Sequence, residues 1–163
     1  MASSQCNYTF GCEELVEIPA TLLYDLVLNI EDYPKFIPWC NAVNVISRRS
    51  DLIVADLVAG FMGLRGSYTS NISFTPPSCF DLSSGWICVS GEGDSIFKRL
   101  NNRWEFIPVS ENATIIKFWI DFEFKSVVFK KAFEIFHKKV QKTVMGAFKK
   151  KAFEVFYSKT LKS

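Results

Sequence analysis

The sequence predicts an α+β domain in which a seven-stranded antiparallel sheet curls around one long C-terminal helix. Two stretches carry that prediction. From residue 41 to residue 124 no segment has a helical period, only β-branched and aromatic runs broken by turn residues, whereas residues 127–157 carry an apolar stripe at helical spacing. A strand and two short helices ahead of residue 41 complete the order.

Residues 8–18 alternate, with Phe10, Cys12, Val16 and Ile18 on one side and Thr9, Glu13 and Glu17 on the other, blurred only by Glu14 and Leu15. This is the pattern of a half-buried strand. Pro19 suits a helical first turn, and Leu22, Leu23, Leu26, Val27 and Ile30 then form one apolar stripe along a helix of about three turns. Glu31 and Asp32 favour the start of a second short helix through its dipole. Pro38 ends it, because proline disfavours helical geometry in Ile37. Breaks at residues 49–51, 60–63, 76–78, 91–93 and 108–112 divide the next region into six strands. In the last of them Ile116, Phe118, Ile120, Phe122 and Phe124 face one way and Lys117, Asp121, Glu123 and Lys125 the other, with Trp119 the single breach. Short connections make neighbouring strands antiparallel, and a meander of strands about ten residues long twists and curls around whatever covers its inner face.

The cover is the segment 127–157, where Phe129, Phe133, Phe136, Val140, Val144, Phe148 and Ala152 recur at spacings of three or four with lysines between them. Gly146 sits inside this helix at a cost of about 1 kcal/mol relative to alanine, which marks a place where a backbone or a ligand approaches closely, or plain tolerance. The order of elements is that of a helix-grip fold. No repeat or linker divides it, so residues 1–163 read as one domain with its core at about 8–157.

Composition agrees with a packed domain. Apolar residues make up 48% and charged residues 22% of 163, which excludes a disordered or fibrous chain. Phenylalanine supplies 16 of the 25 aromatic residues, so the interior is expected to be wide, with walls able to line a cavity. Met1-Ala-Ser-Ser-Gln-Cys6 lacks the basic and apolar regions of a secretory signal, and no apolar run approaches the roughly 18–20 residues of a membrane span. The expected location is the cytoplasm, at most peripheral on the inner membrane. Five cysteines, Cys6, Cys12, Cys40, Cys79 and Cys88, show no CxxC spacing, and His137 is the sole histidine, so reduced, mostly buried thiols and no metal are expected. Asn-x-Ser/Thr triplets at Asn7, Asn71 and Asn112 carry no information in that compartment. The net charge of +2 hides an asymmetry: residues 125–163 hold 11 lysines against Glu134 and Glu154, about +9, while the rest of the chain is about −7. Such a segment either forms a solvated helix face or addresses anionic lipid or nucleic acid.

The run Tyr33-Pro-Lys-Phe-Ile-Pro-Trp-Cys40 puts large apolar groups on a proline-stiffened turn, the form of a lid over a hydrophobic space. Together with Tyr68-Thr-Ser70, the segment Phe97-Lys-Arg-Leu-Asn-Asn-Arg-Trp-Glu-Phe106 and the order of elements, it resembles the coenzyme Q-binding family of START-like domains over nearly the whole chain. The resemblance implies a START-like fold. It further implies either ubiquinone binding in support of respiratory electron transfer, as in mitochondrial members, or the ribosome-association toxin and oligoketide cyclase/lipid transport labels of bacterial ones. The chain departs from the family at Gly93-Asp-Ser-Ile-Phe97, where a Gly-Pro-Phe-like turn is usual, a change that bears on one mouth of the cavity.

A catalytic reading needs a nucleophile, a base or a metal site, and a lone His137 on a lysine-rich helix offers neither a triad nor a ligand set. Asp121 and Glu123 lie opposite the apolar row, where solvation explains them. The expectation is therefore no enzyme, no required cofactor, and a ubiquinone or similar isoprenoid lipid as bound ligand. Phe36, Pro38, Trp39, Phe61, Tyr68, Trp86, Trp104, Phe118, Phe122, Val144 and Phe148 are expected to line or gate its cavity, with Tyr68, Arg65 or the Trp104 indole offering a donor to the head group. At roughly 25 cal/mol per Å², covering a few hundred Å² of isoprenoid supplies on the order of 10 kcal/mol before ordering costs. Segments 31–37 and 60–66 would part to admit the ligand, and Phe61 and Met62 at the glycine-flanked tip would dip into lipid. Lys130, Lys131, Lys138, Lys139, Lys142, Lys149, Lys150 and Lys151 would hold an anionic membrane. The alternative gives the same lysines to ribosomal RNA, with interference in subunit association. It is the weaker reading because the aromatic residues occupy inward phases rather than an RNA-stacking motif.

Overall fold

The computed structural model describes residues 7–38, 40–61, 63–93 and 97–162. Strand β1 (Asn7–Val16) leads through helix α1 (Ala20–Leu28) and a 3-10 turn (Ile30–Asp32) into the one-turn helix α2 (Tyr33–Phe36). Six strands follow, β2 (Cys40–Arg48), β3 (Leu52–Phe61), β4 (Leu64–Thr75), β5 (Gly85–Gly93), β6 (Phe97–Ser110) and β7 (Ala113–Phe124), before helix α3 (Val127–Lys162). They form a single antiparallel sheet in the order β1-β7-β6-β5-β4-β3-β2. The first strand thus closes one edge and the second forms the other, so the α1–α2 connection has to cross the face of the sheet. This is the helix-grip arrangement.

The α1 stripe is rotated slightly from the expected one. Ala20, Leu23, Tyr24 and Val27 are buried, whereas Leu22 and Leu26 are only half-buried. Tyr24 takes the place because its ring meets Phe106 edge-on at 5.8 Å. Thr114 is fully buried and its hydroxyl donates to the Ile18 carbonyl at 2.7 Å, joining the start of the crossover to β7.

Two expected breaks fall inside strands. Gly91 and Gly93 belong to β5, and Pro108 to β6. A Cβ at Gly91 would stand 2.9 Å from the Leu100 carbonyl and 3.3 Å from the Tyr68 ring, so the glycine serves close strand packing rather than a turn. Pro108 sits at a register shift between β6 and β7, where the ladder spares a donor. Register shifts also occur between Cys40 and Ala42 and between Val45 and Ser47 on β2, so bulges mark both sides of the curled sheet.

Helix α3 extends five residues beyond the expected end. A Cβ at Gly146 would have nothing within 4 Å, so this glycine does not mark a close approach. Along β7, Ile116, Phe122 and Phe124 are buried, yet Phe118 and Ile120 between them are only half-buried although they share the same face. They face an internal space.

Candidate ligand-binding site

That space is a cavity of about 550 Å³ between the concave sheet and the helices. Its floor comes from five strands, through alternate residues on most of them, as the two-residue period of a strand requires, and through the consecutive run Leu57, Val58, Ala59 and Gly60 on β3. Leu57 and Ala59 on β3, Tyr68, Ser70 and Ile72 on β4, and Ile87 and Val89 on β5 line one half. Leu100, Asn102 and Trp104 on β6 and Phe118, Ile120, Phe122 and Phe124 on β7 line the other. The roof is Val27, Ile30 and Tyr33, then Ile37 and Pro38, and from α3 Phe129, Ala132, Phe133, Val144 and Phe148.

Two core clusters bracket the cavity. In the larger, Trp104 packs on Phe118 at 4.4 Å and on Phe148 at 5.2 Å, and Tyr33 meets Phe148 edge-on at 5.4 Å. The smaller gathers Leu100, Phe122 and Phe124 with Phe97, Phe129 and Phe133, Phe97 stacking on Phe122 at 5.4 Å. Tyr68 touches both clusters. No lysine, arginine, histidine, aspartate or glutamate is among the described residues that line the cavity.

The titratable groups that do line it stay neutral. Burial drives the Tyr33 and Tyr68 hydroxyls far above the usual phenol range and pushes the Cys40 thiol up to about 11. The Tyr33 hydroxyl donates to the Val27 carbonyl, which ties α2 to α1. Cys12, Cys40, Cys79 and Cys88 are free thiols, half-buried rather than buried as expected. Cys6 lies outside the described residues.

Of the residues expected at the site, Pro38, Tyr68, Trp104, Phe118, Phe122, Val144 and Phe148 line the cavity together. Phe36 stands one layer behind, edge-on to Phe148 at 5.5 Å. Trp86 alternates with the inward-facing Ile87 and so belongs to the opposite face of β5. Arg65 is exposed on β4 and is not part of the lining. Trp39, Met62 and the Phe61 side chain lie outside the described residues, as do Asp94, Ser95 and Ile96 of the unusual turn.

Tyr33, Ser70, Leu100, Asn102, Phe129 and Phe133 were not expected in the lining and are there. Alternation with Trp104 placed Asn102 inward on β6, and that signal was available in the sequence.

The carboxylates lie elsewhere. Asp121 and Glu123 pair with Arg99 at 2.8 and 3.6 Å on the outer face of the sheet. The His137 ring packs on Tyr8 at 5.4 Å, and among the described residues no group of three or more His, Cys, Asp or Glu could hold a metal ion.

The lysines of α3 divide. Lys130 pairs with Glu134 at 3.5 Å, and Lys149 reaches Glu14 of β1 at 2.5 Å. Lys150 is exposed and Lys151 half-buried further along. Lys131, Lys138, Lys139 and Lys142 are exposed at helical spacing with Val128 and Ile135, which are 73% and 75% exposed. One outward face of α3 is therefore both cationic and apolar, opposite the face that carries Phe129 and Phe133. Among the described residues no helix is long and apolar enough to cross a membrane.

A curled sheet closed by helices over an uncharged apolar cavity defines the class: a helix-grip domain built around an internal space. The chain belongs to the polyketide cyclase / dehydrase and lipid transport family, which it matches over residues 16–149. It is 33% identical over 128 residues to the ribosome association toxin RatA of Rickettsia prowazekii (strain Madrid E), covering 78% of this chain and 84% of that protein. It is 32% identical over 139 residues to the mitochondrial coenzyme Q-binding protein COQ10 of Drosophila melanogaster, covering 83% of this chain and 54% of that one, about half its length. Among solved structures, the Zhui aromatase/cyclase from Streptomyces sp. R1128 superposes with a TM-score of 0.75 at 14% identity, over 90% of this chain and 93% of the other.

Proposed function

We propose that the chain binds and carries an uncharged hydrophobic ligand, an isoprenoid quinone such as ubiquinone, in support of respiratory electron transport. The observation that carries the reading is the cavity, whose size falls in the usual range for small-molecule sites and whose lining holds no charged side chain among the described residues. An ionised ligand would lose its hydration there with no counter-charge, whereas an isoprenoid loses only unfavourable contact with water. The relative named for coenzyme Q binding supports the choice of quinone. A binder rather than a catalyst fits the lining, since among the described residues no acid–base pair faces the space. The likeness to an aromatase/cyclase speaks for the fold alone.

The exposed face of Val128, Lys131, Ile135, Lys138, Lys139 and Lys142 suits an anionic lipid surface, with two apolar groups to enter the interface and four cations to hold it. A second reading, association with the ribosome, is favoured by the same lysines and by the relative named as a ribosome association toxin. The two separate by experiment. Quinone titration in detergent is expected to give one affinity from low to high salt, while vesicle flotation weakens with salt and with a Lys131→Glu/Lys138→Glu variant. Salt-sensitive sedimentation with ribosomal subunits, combined with no quinone uptake, would give the site to the second reading.

A further inference from the structure

Among the described residues that line the apolar cavity, two carry a buried side-chain oxygen that the fold leaves without a partner. Ser70 is 1% exposed and its Oγ has no hydrogen-bond partner among the described residues. Asn102 also lines the cavity, and its Oδ1 is buried and likewise unpartnered. An unsatisfied buried polar group costs roughly what a lost hydrogen bond costs, and such groups are rare unless something fills them. A serine and an asparagine at inward phases of β4 and β6, among Ile72, Val89, Leu100 and Ile120, are therefore polar points in a floor whose other hydroxyl is that of Tyr68. Their chemistry is specific. A serine hydroxyl both donates and accepts, and a side-chain amide offers one acceptor and two donors, all without charge.

We infer that Ser70 and Asn102 anchor the polar end of the ligand, which is an uncharged head bearing carbonyl or hydroxyl oxygens on a hydrocarbon body. This rests on the carrier reading above and names the part of the site that selects the head. A carboxylate or phosphate head is excluded by the same geometry, because two neutral groups in an uncharged lining cannot replace the water that such a head gives up. A bare hydrocarbon fits the space but leaves both polar atoms as they are. The head-bearing molecule alone satisfies cavity and floor together. The Tyr33 hydroxyl is already committed to the Val27 carbonyl and is not needed for the anchor.

The test compares three probes on the intact chain: a short-tailed ubiquinone, the hydrocarbon of its tail without the ring, and a fatty acid of similar length. Binding is followed by quenching of tryptophan fluorescence in wild type, Ser70→Ala, Asn102→Leu and the double variant. Wild type is expected to bind the quinone most tightly and the fatty acid least. Each single variant is expected to lose about tenfold for the quinone and nothing for the hydrocarbon. Melting of the empty proteins supplies the control: removing an unpartnered hydroxyl should leave Ser70→Ala as stable as wild type or more so, whereas a purely structural serine would lower its melting temperature. Equal quinone affinity in wild type and the double variant would overturn the anchor while leaving the carrier reading intact. Failure of wild type to bind either the quinone or the hydrocarbon would overturn both, and a preference for the fatty acid would overturn the uncharged head.

Discussion

Replacing Val144 with arginine is expected to lower ligand affinity by about a hundredfold or more while leaving the chain folded. Val144 lies one helical turn before Phe148 on the inner side of α3 and lines the cavity. The guanidinium fills volume that the ligand needs and brings a cation into a lining that holds no counter-charge among the described residues. Because Val144 is half-buried rather than buried, the long side chain has a route to solvent for its charged end, so the helix survives. Val144→Leu keeps the surface apolar and should retain binding. The measurement is quinone titration beside far-UV circular dichroism of each variant, and unchanged affinity in a folded arginine variant would place the ligand outside this cavity.

The second large effect concerns stability. Phe106→Ala is expected to cost about 3–5 kcal/mol, a fall in melting temperature of roughly 10 °C for a chain of this length. Phe106 is fully buried on β6, edge-on to Tyr24 of α1 and stacked beside Trp104 at 6.3 Å. It joins the crossover helix to the sheet next to the cavity without lining it. Its removal leaves a void that strands and helix cannot close together. Chemical denaturation of both proteins measures the loss directly, and a change below about 1 kcal/mol would mean that α1 settles onto the sheet without this ring.

Much of this architecture is written in periodicity. The β7 alternation and the α3 stripe each specify a face, and once both faces are apolar the helix has to lie on the sheet. The same rule found Trp104, Phe118 and Phe122 in the lining. It misplaced Trp86 because β5 offers apolar residues in both phases, and only pairing of Ile87 with Trp104 fixes which phase points inward. Strand limits at Gly91 and Pro108 were illegible for another reason. Glycine and proline usually punctuate, but here one makes room for its strand neighbours and the other sits on a bulge, both of which are properties of the partner strand. Ser70 and Asn102 could be placed inward by phase, yet their lack of partners appears only when the surrounding strands are in position. The division of the lysines is likewise tertiary, since Lys149 meets a carboxylate 135 residues away in sequence.

The most direct test of the carrier reading is organic extraction and mass spectrometry of the purified protein, wild type beside Val144→Arg. A neutral isoprenoid quinone retained near stoichiometry by wild type and absent from the variant is the predicted result. An empty wild-type extract, with no uptake of added ubiquinone, would contradict the account and leave the cationic face of α3 as the functional surface.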